Sequence, residues 1–112
     1  MKYALLAYDS AVENRDDRPI DAGIAAVLTR PEVVGWLRLR NEESATTVRT
    51  DPPRTVFSDG PFIDSKEFLG GVIIVEADNL DGALALAAEF QELRSDGGIE
   101  VRPIIEQELG GA

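Results

Sequence analysis

Apolar residues along this chain fall into short unbroken runs and longer helical stripes. Tyr3-Ala4-Leu5-Leu6-Ala7-Tyr8 runs to Asp9-Ser10, and Val72-Ile73-Ile74-Val75 runs from Gly70-Gly71 to Ala77. Runs of this length, closed by polar or turn residues, predict central strands buried on both faces. Ile99, Val101 and Pro103 alternate with Glu100 and Arg102, which predicts a last strand over 99–105. Ile20, Ile24, Val27 and Leu28 recur on one helical face, with Pro19 suited to the first turn and Pro31 as the stop. A second stripe, Leu80, Ala83, Leu84, Ala87, Ala88 and Phe90, follows Asp78 and Asp81, an acidic variant of a capping box.

The remaining segments complete the order. Asp9 to Arg18 is polar and predicts a loop. Val33 to Leu39 carries two signals. Thr29 and Glu32 have capping-box spacing, whereas the valine pair, Gly35 and Trp36 favour a strand, and the strand is taken. Asn41-Glu42-Glu43 is a polar connector. Ala45–Thr50 and Arg54–Phe57 are β-branched runs on either side of Asp51-Pro52-Pro53, which predicts a hairpin. Asp96-Gly97-Gly98 is a turn, and Gly110-Gly111-Ala112 is expected to fray. The order strand, helix, strand, hairpin, strand, helix, strand is the ferredoxin-like βαββαβ pattern with an added hairpin, an α+β fold in a single domain over residues 1–112.

Composition narrows the chemistry. The chain has neither cysteine nor histidine, so disulfides, thiolate nucleophiles and the usual metal ligand and neutral-pH base are excluded. No cofactor is expected, and no transition-metal site, since oxygen ligands alone suit Mg²⁺ or Ca²⁺ weakly. The formal net charge of −10 opposes binding to nucleic acid or anionic membranes. No apolar run reaches the roughly 20 residues that span a bilayer, and no signal-peptide core follows Met1, so a cytoplasmic location is expected.

The stretch Ser58 to Gly71 is turn-rich and polar, and it contains Asp59-Gly60-Pro61-Phe62. With Met1–Leu6, Ala45–Arg49, Lys66-Glu67, Leu69-Gly70-Gly71, Leu80–Leu84 and Val101–Ile104, in that order along nearly the whole chain, it resembles the YCII-related family with its Asp-Gly-Pro-Phe motif. The resemblance implies a homodimeric α+β barrel, two ferredoxin-like sheets packed face to face. It implies no well-established activity, and an association of some members with sigma-factor regulation. The segment between Asp9 and Val33 is shorter than in many members. A His–Asp pair proposed in the wider superfamily has no counterpart in a chain without histidine.

Candidate site residues each carry a structural and a functional reading. Asp59 is either a turn residue accepting backbone N–H groups or a cleft carboxylate for proton transfer, aided by Tyr8 or Lys66. Asp64 and Glu67 have the spacing of a one-turn helix cap, beside which Lys66 is either solvated or holds an anion. Gly70-Gly71 permits an unusual backbone angle, with no Lys-Ser or Lys-Thr to complete a phosphate loop. Tyr8 and Asp9 sit at one strand end, where a pairing of Arg102 with an aspartate would bind a small carboxylate; otherwise Arg102 is an outward strand residue. Trp36 is assigned to the dimer interface or barrel edge. Two functions follow: a dimeric binding or regulatory domain for a small molecule or protein, or a small-molecule enzyme using Asp59.

Overall fold

A computed structural model describes residues 1–10, 15–63 and 65–108. The strands are β1 (Lys2–Ser10), β2 (Val33–Arg38), β3 (Thr46–Asp51), β4 (Arg54–Asp59), β5 (Glu67–Glu76) and β6 (Gly98–Pro103); the helices are α1 (Ala22–Leu28) and α2 (Leu80–Glu92). The main sheet has the order β2-β5-β1-β6, all antiparallel, and β3-β4 forms a separate hairpin. This is the ferredoxin-like α+β arrangement with its extra hairpin, and the first and last strands are neighbours.

The core lies on one face of the sheet. Tyr3, Leu5, Ile73 and Val75 are buried against Ala83, Leu86, Ala87 and Phe90 of α2, with Ile24, Val27 and Leu28 of α1 packed alongside. Alternate residues of the same strands, Ala4, Leu6, Val72 and Ile74, are only half-buried. Within one chain, burial on both faces is met on the helix side alone. Both helices cover the same face, so burial within one chain alternates.

Local chemistry sets the helix starts. Asp21, not Pro19, opens α1: its Oδ1 accepts from the N–H groups of Gly23 at 2.8 Å and Ile24 at 3.3 Å. Asn79, not Asp78, caps α2 by accepting from the Gly82 N–H at 3.1 Å. In both cases the residue immediately before the first turn can bond the free N–H groups, and a residue further back cannot. Glu67, expected in a helical cap, begins β5, while Asp64 lies outside the described residues. The expected fraying of Gly110 to Ala112 likewise falls outside them.

A bulge governs the end of the sheet. Ala7 pairs with Gly71 but Tyr8 pairs with Leu69, which leaves Gly70 extra in β5. By ordinary alternation along β1, Ala7 and Asp9 look toward the helices and Tyr8 toward the opposite face, and the bulge keeps Leu69 in step with Tyr8. The hairpin projects from this end. Its strands contact chiefly each other. The radius of gyration, 15.6 Å, exceeds the ~13 Å of a rounded domain of this length, as a projecting arm requires. Among the described residues, no helix is long and apolar enough to cross a membrane.

Two glycines at positive φ separate backbone strain from crowding. Gly60 (φ 95°) has open space where a Cβ would stand, whereas a Cβ on Gly97 (φ 75°) would lie 2.1 Å from the Tyr8 carbonyl oxygen. Gly60→Ala is expected to cost about 1–2 kcal/mol from backbone conformation alone, and Gly97→Ala substantially more; paired urea melts check the order. At the chain start, the Met1 ammonium bonds Glu76 at 2.9 Å and holds its carboxyl below the ordinary range. A carboxyl lowered by folding contributes stability above its unfolded pKa, and that contribution vanishes as pH falls through the folded value. Glu76→Gln should therefore differ slightly from wild type at pH 7 and converge with it in acid, measured by melting temperature across pH.

Candidate functional site

Alternation along β1 divides the polar residues at this end of the sheet between two concavities, one on each face. On the helix face, a cavity of about 290 Å³ lies between α1, the end of α2 and the sheet. Ile24, Trp36, Leu93 and Ile99 form apolar wall, and Arg18, Arg38 and Arg94 mix with Asp9, Asp21 and Asp96 around it.

Arg94 organises this cleft. Its Nη2 donates to Asp9 Oδ1 at 2.5 Å and to the Tyr8 carbonyl at 2.6 Å; its Nη1 donates to Gln91 Oε1 at 2.9 Å and the Gly98 carbonyl at 3.2 Å. Gln91 in turn donates to the carbonyls of Asp96 and Gly97. One guanidinium thus joins the end of β1, the end of α2 and the start of β6. The side chains of Arg94 and Asp9 are 12% and 24% exposed, so the pair is largely withdrawn from water and its loss leaves a charge poorly solvated.

The other arginines differ in commitment. Arg38 Nη2 donates to the Arg18 carbonyl at 2.9 Å and ties the segment before α1 to β2. The Arg18 guanidinium is exposed and has no partner among the described residues. Asp21 is committed to its helix cap. Trp36 is 46% exposed on β2, an edge strand of the sheet, where it forms wall of the cleft.

On the opposite face, a second concavity of about 580 Å³ is bounded by Tyr8, Leu39, Phe62, Ile63, Phe68 and Leu69. Asn41 also borders it. Asn41 is 9% exposed; its N–H donates to Asp16 Oδ1 at 2.6 Å, and its own Oδ1 has no partner. Ser44, Ala45 and Pro61, at the root of the hairpin, complete the rim.

The structure distributes the expected site residues widely. Asp9 and Tyr8 are at one strand end, as expected, but they point into different concavities. Arg102 is not their partner. It pairs in register with Ala4, toward the other end of β1, and forms its ion pair with Glu100. Antiparallel pairing explains this, because Gly98, not Arg102, lies opposite Tyr8. Arg94 supplies the cation that Arg102 was expected to supply. Its sequence signal was a lone basic residue just past the last turn of α2. Lys66 is exposed, and the described residues beside it form no helical turn.

Asp59 ends β4, exposed, and borders neither concavity. Its carboxylate accepts no hydrogen bond among the described residues. Other groups hold the turn: Thr47 Oγ1 donates to the Gly60 carbonyl at 2.7 Å, and the Gly60 N–H donates to the Ala45 carbonyl at 2.8 Å. The expectation that Asp59 accepts the backbone N–H groups of its own turn is corrected accordingly. Among the described residues, no three His, Cys, Asp or Glu gather as a metal-binding group.

Arg94→Met should lower stability by about 3 kcal/mol, as removal of one member of a buried ion pair does. Asp59→Ala and Asp59→Asn should each stay within about 0.5 kcal/mol of wild type, as ordinary surface changes do. Chemical denaturation of the three variants measures both.

The YCII-related domain model matches residues 1–108. The chain is also similar to an uncharacterised protein of Rhizobium meliloti (strain 1021), 32% identical over 114 residues that span 93% of this chain and 92% of that protein.

Proposed function

We propose that this chain, which belongs to the YCII-related domain family, is a homodimeric binding domain for a small ligand with an apolar body and an anionic group, held in the cleft between the helices and the sheet. The observation that carries the reading is the state of the cleft's cations. Arg94 is spent on Asp9 and backbone carbonyls, while Arg18, without a partner among the described residues, presents its guanidinium beside apolar wall, with Trp36 on the cleft's sheet side. A planar guanidinium meets a carboxylate through two parallel hydrogen bonds, and an aromatic or aliphatic body gains from contact with Trp36 and Leu93.

The dimer rests on the uncovered face of the sheet. Leu37 is 48% exposed there, beside half-buried Leu6, Val72 and Ile74. A second sheet laid on this face would remove that apolar surface from water. A chain without cysteine suits a reducing compartment, and the cytoplasm is the location we assign to it.

A thermal-shift panel tests the ligand class. Aromatic and branched aliphatic carboxylates should raise the melting temperature, and their amides should not, because only the native state binds. Arg18→Gln should abolish the shift while leaving the unliganded melting temperature unchanged. Equal shifts with acids and amides, or an undiminished shift in Arg18→Gln, would sink the assignment. Light scattering should give the mass of two chains at micromolar concentration.

A further inference from the structure

The hairpin lacks the support that a two-stranded ribbon needs. Such a ribbon is marginal in water unless a third strand or another surface covers it. Here β3 and β4 contact chiefly each other, and Val48 and Phe57, directly paired across the strands, are 57% and 72% exposed. The neighbours on their face are Thr46, Thr50 and Thr55, with Asp59 at the root. The face therefore has an apolar centre surrounded by threonines, with its one carboxylate at the root, the composition of a surface meant to be covered.

The same chain carries a matching receptor. The concavity below the Asp-Gly-Pro-Phe loop is bordered by Leu39, Phe62, Phe68 and Leu69, and neither Val48 nor Phe57 lines it. Its rim contains Ser44 and Ala45, which lead into β3, and Pro61, which follows β4. The arm is thus rooted at the rim of its own concavity and leads away from it.

Charge points the same way. Glu42 and Glu67 stand on the rim, and the rim's Arg40 is turned to Asp16. Arg49 and Arg54 on the arm have no ion-pair partner among the described residues. In a chain of net charge −10, two copies repel over most of their surface. The arm is neutral overall, with Arg49 and Arg54, on the face opposite Val48 and Phe57, against Asp51 and Asp59, so it approaches an acidic partner with little net repulsion.

We infer that in the dimer each arm crosses to the partner and seats its Val48–Phe57 face in the concavity beneath the partner's Asp-Gly-Pro-Phe loop. The contact is reciprocal, so it closes under a two-fold axis with no surface left to propagate. The motif loop then serves as a socket wall, through Phe62 and Ile63, and each concavity is complete only with the partner's Phe57 in place. This inference rests on the proposed dimer and adds its geometry.

The absence of native cysteine makes the test direct. Phe57→Cys and Ile63→Cys chains, both changed at exposed positions, are co-expressed with different tags, purified as the mixed dimer and treated with a short bismaleimide. The expected product joins one Phe57→Cys chain to one Ile63→Cys chain, and neither variant alone yields a cross-linked pair. Phe57→Ser should raise the dimer dissociation constant at least about tenfold, as loss of a central aromatic anchor does, with an unchanged circular dichroism spectrum. A two-chain mass by light scattering without the mixed cross-link overturns the arm exchange and leaves the dimer standing. A one-chain mass overturns both.

Discussion

Both helices of this chain pack on the same face of its sheet, and much of the remaining structure follows from that asymmetry. The strands supply apolar side chains in both directions, since Tyr3, Leu5, Ile73 and Val75 alternate with Ala4, Leu6, Ile74 and Val72. Only the first set meets α2. The second set forms a sheet surface with no layer of its own, and at its edge stand the hairpin and the motif loop, with Phe57, Phe62 and Ile63 all about 70% exposed or more. An open concavity on one side and a helix-roofed cleft on the other are consequences of the same layering.

The cleft on the helix face depends on a single cross-chain junction. Arg94 bridges residues 85 and 86 positions away in sequence, at Asp9 and the Tyr8 carbonyl. It substitutes ion-pair and carbonyl bonds for apolar packing at the point where the core thins. Gly97 lets the following turn pass close under the Tyr8 carbonyl. The Arg94 side of the cleft is therefore polar and fixed, while Arg18 is tied through its backbone carbonyl to Arg38, and its guanidinium has no partner among the described residues. A rigid pair and an unpartnered cation in one cleft are different kinds of group: the first shapes the space, and the second can respond to what enters it.

Element identity was legible in the sequence where a single periodicity dominated. The runs at Tyr3–Tyr8 and Val72–Val75, the alternation at Ile99–Pro103 and the stripe from Leu80 to Phe90 all fall in the elements they predicted. Ends were less legible. Pro19 and Asp78 were plausible starts, but Asp21 and Asn79 bond the free N–H groups, and adjacent polar residues compete for that position by geometry that composition does not express. The acidic pair at Asp64 and Glu67 looked helical because capping spacing is short and common, whereas β5 extends back to Glu67 to pair with Ser10. The site was the least legible part. Whether Asp9 meets Arg102 or Arg94 depends on strand register and on where α2 ends against β1, and neither quantity is local.

The extra residue at Gly70 has a further consequence, for insertions and deletions. A substitution in β5 alters one contact. Removing Gly70 would restore an unbroken ladder and keep Tyr8 opposite Leu69 and Asp9 opposite Phe68, whereas removing a residue within Val72–Val75 would slip the register and reverse the facing of everything beyond it. The two surfaces at this end of the sheet are thus encoded by spacing as much as by residue type. Descendants of this sequence can vary freely in side chain here only while they keep the count.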